Sequence, residues 1–250
     1  LMKKKITLKE LKVSSFATSL TPEEIKKIAM TLGRLLRSTK KVTRGIGSIR
    51  QDVNVSVSGG GIVEVKGVQQ LDQLEKVVEY EAKREYGLMK IAEKIQNISL
   101  ESISKEKNVF DITESWKNCK SKIIQKALKN NSVIKAIKFE SFAGMFGYSP
   151  YEGIRLGKEI GQLVRFYGIG GVFHSDELPN YGIEESDVKV VKDILNAKEN
   201  EDGFLIIAAE PSKINFAIES IINRIKQAKI GVPAETRLAT QTGETVFLRP

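Results

Sequence analysis

The spacing of apolar and polar residues predicts both helices and strands in the first hundred positions. Thr21 is a typical helix cap, Pro22 suits the first helical position, and the apolar residues that follow recur at three- and four-residue steps. This pattern predicts a helix that begins at Thr21. Residues 70–97 carry the same periodicity, with Gly87 as a candidate kink, and residues 6–16 alternate loosely as in a strand.

Residues 48–57 alternate cleanly between apolar and polar positions, and residues 62–66 do so again after three glycines. The two runs predict a β-hairpin, whose register decides which side chains share a face. A loop of two or four residues would set Glu64 opposite Val55 and mix charge into the apolar face. A three-residue loop with a glycine bulge would set Glu64 opposite Asn54, or one polar position away, and the glycine triplet favours it. The polar face then carries Arg50, Asp52, Asn54, Glu64 and Lys66.

The middle of the chain has a different pattern of apolar and polar residues. Residues 100–109 are polar and predict a linker, beyond which helices alternate with strands. Helices are predicted at 114–130, 151–167, 186–195 and 212–229, and strands at 133–142 and 203–209. This alternation predicts a small α+β sandwich of ferredoxin-like type. Residues 234–239 and 245–249 predict a second hairpin, whose chemistry resembles the first region. We therefore expect a first domain at 1–105, an insertion at 106–229 and a return to the first domain at 230–250.

Charge and cysteine content narrow the class of protein. The 250 residues include 40 Lys and Arg against 31 Asp and Glu, a net charge of +9, which suits an RNA partner but also fits a protein that is simply lysine-rich. Cys119 is the single cysteine and His174 the single histidine, which excludes an internal disulfide and a structural zinc site and favours a reducing compartment. No apolar run predicts a membrane span or a secretory signal. Because the chain stops at Pro250 within a predicted strand, we expect it to be part of a longer protein.

The polar face of the first hairpin is the main candidate for chemistry. Arginine and lysine can neutralise phosphoryl oxygens, so Arg50 and Lys66 are candidate phosphate ligands. Glu64 offers the oxygen ligands that Mg²⁺ prefers, and Asp52 and Asn54 could orient the basic groups. The alternative is a solvated sheet face with ordinary cross-strand ion pairs, which the residues by themselves favour.

Three other segments offer weaker signals. The glycines at 168–171 lack the Lys-Ser/Thr of a phosphate loop, so a turn before an edge strand is expected. His174 stands beside acidic residues as a candidate general base, although Pro179 favours a capped loop. The lysine-rich helix predicted at 115–130 could follow an RNA backbone, with a solvated helix face as the alternative.

Several runs resemble one known family. The runs Leu36-Arg37-Ser38-Thr39, residues 44–57 (Arg-Gly-Ile-Gly-Ser-Ile-Arg-Gln-Asp-Val-Asn-Val-Ser-Val) and residues 63–69 (Val-Glu-Val-Lys-Gly-Val-Gln) resemble the cradle domain of the B/E subunits of tRNA-dependent amidotransferases. These runs are most similar to the archaeal E type. Residues 170–182, with His-Ser-Asp-Glu-Leu-Pro-Asn-Tyr-Gly from His174, resemble a module shared with bacterial-type aspartyl-tRNA synthetases. Residues 233–237 and 247–250 resemble the return to the cradle.

The resemblance implies a fold and a reaction. It implies part of a glutamine-synthetase-like cradle, an antiparallel sheet with helices, interrupted by an aspartyl-tRNA-synthetase-like module. Such a protein uses ATP and Mg²⁺ to phosphorylate the γ-carboxylate of glutamate on Glu-tRNA(Gln), and ammonia from an asparaginase-like partner of the D type then gives Gln-tRNA(Gln) in the cytoplasm. The residues implied are Arg50, Asp52, Asn54 and Lys66 as catalytic groups, Arg50, Lys66 and Arg249 toward the nucleotide, and Glu64 as the metal ligand.

The chain also departs from the family pattern. The glutamate pair of the B type is replaced by Gly45-Ile46, and Lys12 stands in an upstream strand that is usually acidic. The earlier cradle and the C-terminal tRNA-gripping domains are expected to lie outside this chain, so the chain by itself is expected to be inactive. A non-catalytic RNA-binding or scaffolding module of a tRNA-charging enzyme is the alternative, with a purely structural assembly protein as a third.

Overall fold

A computed structural model of the chain describes residues 20–42, 45, 52–99, 101, 103 and 108–250. The elements in chain order are α1 (Pro22–Ser38), β1 (Val53–Val55), β2 (Val63–Lys66), α2 (Leu71–Ile95), β3 (Val109–Asp111), α3 (Lys122–Lys129), β4 (Val133–Phe139), α4 (Leu156–Phe166), β5 (Gly171–His174), α5 (Glu185–Leu195), β6 (Gly203–Ala209), α6 (Pro211–Ile230), β7 (Glu235–Ala239) and β8 (Thr245–Arg249). The predicted strand at 6–16, Arg50 and much of the predicted linker lie outside the described residues. The mixture of helices and sheets agrees with the predicted α+β class.

The first sheet has the strand order β1-β2-β7-β8. Strand β2 is antiparallel to β1 and parallel to β7, and β7 and β8 form the second predicted hairpin. The chain therefore leaves this sheet after β2 and returns to it at β7. The domain boundaries near residues 105 and 229 stay predictions.

Helix α1 begins where its capping residues predict. The Thr21 hydroxyl accepts a hydrogen bond from the Glu24 N–H at 3.3 Å, and the Glu24 carboxylate accepts one from the Thr21 N–H at 2.8 Å. This reciprocal pair satisfies two main-chain donors that the helix itself leaves free. Ala29 is buried and packs with the start of α2 beside the first sheet.

The second sheet has the order β3-β4-β6-β5, and every neighbouring pair is antiparallel. Alternate residues of β6 enter two different cores: Leu205 and Ile207 pack toward α2, α4 and α6, and Phe204 and Ile206 pack toward α3 and α5. Because both faces are covered, β6 is buried along its whole length, as its continuous apolar run predicts. A helix lies in every strand connection, which differs from the β-α-β-β-α-β order of the predicted ferredoxin-like type.

Helix α2 is shared by two hydrophobic cores. Leu74, near its start, packs with the strands of the first sheet, and Leu88, farther along, packs beneath the second. The helix is continuous through Gly87, and the predicted kink there stays a prediction. Gly87 also allows close packing, because a Cβ at this position would lie 2.5 Å from the Ile154 Cγ2 atom.

The segment around residue 116 corrects a second prediction. The helix predicted at 114–130 is present only as α3, from Lys122 to Lys129, and turns precede it. Trp116 and Cys119 are buried in the core between the second sheet and α5, and the chain turns there to bring them inside. Within the described part of the chain, no helix is both long and apolar enough to cross a membrane.

A polar sheet face as candidate active site

The register of the first hairpin brings the predicted polar residues onto one face. Asn54 lies opposite Glu64, and Val55 lies opposite Val63. This confirms the register that the glycine triplet favours, although the connection is longer than three residues and contains a turn from Val57 to Gly60. Glu64 therefore lies on the polar face, where a metal-binding role remains open to it.

Ion pairs link the acidic and basic residues of this face. The Lys66 Nζ atom lies 3.1 Å from Glu64 Oε1 and 3.5 Å from Asp52 Oδ2. The Glu64 and Lys66 side chains are 34% and 31% exposed, so solvent reaches both. The hydrogen bond from Lys66 lowers the pKa of Glu64, and the charge of Arg249 lowers it further. Glu64 is consequently held as a carboxylate, the form that binds a cation.

The neighbouring strands extend the polar face. Glu64 lies opposite Thr236 of β7, and Thr236 lies opposite Arg249 of β8. The Thr236 hydroxyl donates to Glu64 Oε2 at 3.3 Å and accepts from Arg249 Nε at 3.4 Å. Thr236 thus connects the two ends of the site. Sequence reasoning assigned it no role, since only the parallel pairing of β2 with β7 brings it beside Glu64.

The structure thus places Asp52, Asn54, Glu64, Lys66 and Arg249 on one four-stranded face, which we call the polar sheet face. Asn54 is exposed and directly opposite Glu64. Arg50 lies outside the described residues. The polar sheet face crosses β1, β2, β7 and β8 in the order in which the strands pair.

The donor set of the polar sheet face fits one kind of metal site. Among the described residues, no three His, Cys, Asp or Glu side chains are grouped so that they could hold a metal ion. That arrangement does not suit an ion caged entirely by protein ligands. It suits Mg²⁺, which is typically held by one or two carboxylates together with water and substrate phosphates. Glu64 and Asp52 supply such carboxylates, and Lys66 and Arg249 supply cations for phosphate oxygens.

Beneath the first sheet lies a buried set of charges that the sequence did not predict. We call it the ion network; its members are Glu81, Arg84, Glu159, Arg224, Glu235 and Arg237. Arg84 donates to Glu159 at 2.7 and 2.9 Å and to Glu235 at 2.5 Å. Arg237 donates to Glu235 at 2.7 Å. These contacts join α2, α4, α6 and β7.

The ion network also fixes the strand that carries Thr236. Its neighbours Glu235 and Arg237 point inward and are 6% and 0% exposed. Since side chains alternate along a strand, anchoring both neighbours inside directs Thr236 toward Glu64. The inner and outer faces of β7 are therefore structurally linked, and the ion network positions one end of the candidate site.

A mixed α+β chain with an open, charged sheet face defines a candidate phosphate- and cation-binding domain. The chain matches the family model described as the GatB/GatE catalytic domain over residues 6–250. The chain belongs to this family, which confirms the resemblance found in the sequence.

Related proteins support the same assignment. The chain is 48% identical over 232 residues to the E-type subunit of glutamyl-tRNA(Gln) amidotransferase from Methanocaldococcus jannaschii, a match that covers 92% of this chain and 36% of the relative. It is 45% identical over 230 residues to the corresponding protein of Archaeoglobus fulgidus, with coverages of 92% and 36%. The corresponding protein of Sulfurisphaera tokodaii is 42% identical over 243 residues, with coverages of 96% and 38%. The chain thus spans little more than a third of the length of these relatives.

Proposed function

We propose that the chain forms part of the carboxylate-activating domain of a tRNA-dependent amidotransferase that converts Glu-tRNA(Gln) into Gln-tRNA(Gln). Family membership and the names of the relatives support this class of reaction. The observation that carries the proposal to particular residues is the pairing of Asn54 with Glu64, which leaves Glu64, Lys66 and Arg249 together on an open face.

The chemistry requires activation because a carboxylate is a poor electrophile. Transfer of the γ-phosphoryl group of ATP to the γ-carboxylate of the tRNA-bound glutamate gives an acyl phosphate and ADP. Ammonia attacks the acyl carbon, the carbon–oxygen bond breaks, and phosphate leaves as the amide forms. An asparaginase-like partner, the D-type subunit of the amidotransferase, supplies the ammonia. The reaction takes place where translation does, in the cytoplasm.

Each residue of the face has a part in this proposal. Glu64 would hold Mg²⁺, which would supply neutralisation of phosphate charge. Lys66 and Arg249, joined by Arg50, hold phosphate oxygens, and Asp52 and Asn54 order these groups. The present contact between Lys66 and Glu64, at 3.1 Å, keeps both groups at one place before a nucleotide arrives. Thr236 is added as a positioning residue for Glu64 and Arg249.

The finer architecture belongs to the same proposal. The first sheet would be part of a cradle of glutamine-synthetase type, and residues 106–229 would be the inserted aspartyl-tRNA-synthetase-like module. Both β1–β2 and β7–β8 lie in one sheet, which supports a single cradle built from the two ends of the chain.

Mg²⁺-dependent ATP binding tests the proposal. Calorimetric titration would compare Glu64→Gln with Glu79→Gln, a matched change at an exposed glutamate that pairs with Lys83 on α2. It should be done on this chain and on the same domain within a full-length relative. Glu64→Gln is expected to weaken Mg-ATP binding at least about 10-fold, the effect of losing one charge-assisted ligand worth about 1.4 kcal/mol or more. Glu79→Gln should leave it unchanged.

The Lys66→Met variant distinguishes phosphate binding from Mg²⁺ binding on the polar sheet face. It should weaken ATP binding both with and without Mg²⁺, whereas the effect of Glu64→Gln should be confined to the Mg²⁺ condition. Unchanged ATP binding in both variants of the full-length protein would show that the nucleotide binds at another place. The polar sheet face would then be a solvated surface, and the RNA-binding alternative would gain.

A further inference from the structure

A groove on the side of α4 is not used by the reaction proposed above. It has a volume of about 360 Å³ and runs between α4, β5 and the hairpin of β7 and β8. Three glycines, Gly157, Gly161 and Gly170, line it. A Cβ at Gly161 or Gly170 would meet no atom within 4 Å, so the groove is open above both residues. A flat group could therefore lie directly against the α4 backbone.

His174 lines this groove, and its ring nitrogens are incompletely hydrogen-bonded. It is 5% exposed, and neither ring nitrogen makes a full hydrogen bond to any described residue, although the side chain faces the Glu177 N–H in a capping arrangement and Nε2 lies against Gly157 of α4. The nearest carboxylate oxygen, Glu177 Oε2, is 3.6 Å from Nε2, and the Phe146 ring stacks at a centroid distance of 5.9 Å. Buried polar atoms without partners are costly in a native protein, so a ligand that supplies partners would be favoured.

Cationic side chains outnumber carboxylates in the groove lining, with Arg155, Lys158 and Arg165 against Glu177 and Glu244, and this excess favours an anionic ligand. Arg155 and Arg165 both line it, and neither forms an ion pair with another described residue. Arg155 immediately precedes α4 and Arg165 lies in its last turn, ten residues on, or about 15 Å at 1.5 Å per residue. The third cation, Lys158, is engaged by Glu244 at 3.1 Å. The two free guanidinium groups suit phosphate oxygens, which they contact with two parallel hydrogen bonds.

The uncharged part of the groove suits a nucleobase. Burial lowers the pKa of His174, which keeps the imidazole neutral, with one N–H donor and one acceptor. Tyr181, 48% exposed and packed on Phe173 at 5.7 Å between ring centroids, adds an aromatic wall. Base edges carry donors and acceptors, and protein side chains reach them most readily where RNA is single-stranded and the bases are unstacked.

We propose that this groove binds a single-stranded segment of RNA, with one unstacked base beside His174 and phosphates at Arg155 and Arg165. The proposal deepens the proposed function, since it assigns to the middle of the chain a contact with the tRNA substrate. The polar sheet face would then act on the aminoacyl end while the groove holds an unpaired nucleotide elsewhere on the same RNA.

Gly161→Leu is the sharpest test, because its side chain would fill the groove without meeting another atom at Cβ. Replacing a helical glycine should also maintain or raise the melting temperature, which shows that the variant folds. Fluorescence anisotropy would measure binding of a labelled 12-nucleotide single-stranded RNA, the same sequence in a duplex, and AMP. Gly161→Leu is expected to weaken single-strand binding about 10-fold or more, within the range for loss of one stacked base. The wild-type chain should bind the single strand more tightly than the duplex.

Charge variants provide the matched control. Arg155→Ala and Arg165→Ala should each weaken binding several-fold and reduce the slope of log K against log salt by about 0.7, the value for one phosphate contact to a single strand. Lys189→Ala removes the same charge from exposed α5, away from the groove, and should change neither quantity. His174→Phe, which keeps an aromatic ring next to Phe146, should weaken single-strand binding without changing the salt slope.

The RNA- and AMP-binding measurements distinguish the proposal from its alternatives. RNA binding that is equal in the wild type and in Gly161→Leu overturns the proposal, as does the absence of RNA binding. AMP binding that the groove variants weaken, without RNA binding, makes the groove a site for free nucleotides and also overturns the RNA assignment. Because these measurements need neither Mg²⁺ nor ATP, their failure leaves the activity at Glu64 to be judged separately, and failure of Glu64→Gln leaves the groove unaffected.

Discussion

The ion network leads to the strongest stability prediction. Glu159 is 6% exposed, and its carboxylate contacts the guanidinium groups of Arg84 and Arg224, with Arg237 Nη1 3.6 Å away. The network balances three arginines against Glu81, Glu159 and Glu235, so Glu159→Gln leaves one buried positive charge without compensation. Removing one partner of a buried ion pair costs about 3–5 kcal/mol. For a chain of this size, that corresponds to a fall of about 6–20 °C in melting temperature.

Urea unfolding would measure this change through the fluorescence of Trp116, the only tryptophan, which is fully buried. Circular dichroism would show whether the rest of the chain unfolds together with it. Glu201→Gln is the control, because it breaks the exposed pair with Lys198 at 2.8 Å and should cost under about 1 kcal/mol. Equal losses in the two variants would refute the argument that burial makes the network energetically different.

Acid should weaken the network in a defined direction. Burial acts to raise the pKa of Glu159, but the charges of Arg84, Arg237 and Arg224 outweigh it and hold this pKa well below the ordinary value of 4.5. The folded state therefore binds the proton less readily than the unfolded state. The stabilisation from Glu159 is complete above about pH 4.5 and is lost as the pH falls through the folded-state pKa. Glu159→Gln should lose less stability than the wild type on moving from pH 5 to pH 3.

Two further predictions concern α2. Burial raises the pKa of Glu85 to about 7, so stability should fall as the pH rises from about 4.5 to 7, by about 3 kcal/mol at 1.36 kcal/mol per pKa unit. The amide of the Glu85→Gln variant can still accept a hydrogen bond from the Val57 N–H. The urea midpoint of this variant should change less with pH than that of the wild type. Identical pH dependence in the two proteins would contradict the pKa assigned to Glu85. Gly87→Ala should destabilise the chain by about 1–3 kcal/mol through its contact with Ile154, whereas Gly33→Ala on α1, with open space around its Cβ, should stabilise it by about 0.5–1 kcal/mol. Thermal melts of the pair check this, and a shift in the same direction for both would contradict it.

The candidate site shows what a strand pattern can predict. The period of two indicated which residues of the first hairpin share a face, and the glycine triplet favoured the register in which Asn54 lies opposite Glu64, as the strand pairing confirms. Arg249 came from the resemblance rather than from its own segment. Thr236 could not be assigned in this way, because its contact with Glu64 depends on a parallel pairing between strands separated by most of the chain.

The sequence carries a weaker signal for the ion network than for the polar sheet face. In α2 the apolar stripe runs from Leu74 and Val78 to Leu88, and Glu81, Arg84 and Glu85 fill the gap at the same three- and four-residue steps. Charges at core positions of a helix indicate buried partners. Their identity could not be deduced, since Glu159 and Glu235 lie 75 and 151 residues beyond Arg84. The course of residues 114–121 was also mispredicted, because local helix propensity did not reveal that Trp116 and Cys119 enter the core.

The shared helix α2 has a consequence for how this domain tolerates insertions and deletions. Its first turns lie in one core and its last turns in another, and the helix is unbroken between them. Adding or deleting one residue between Val78 and Leu88 would rotate one half by about 100° relative to the other, since a turn contains 3.6 residues. The apolar side chains of α2 could then pack into one of the two cores, but not into both. The length of this helix is therefore a fixed dimension of the domain, and changes in chain length should accumulate in exposed turns such as residues 196–202.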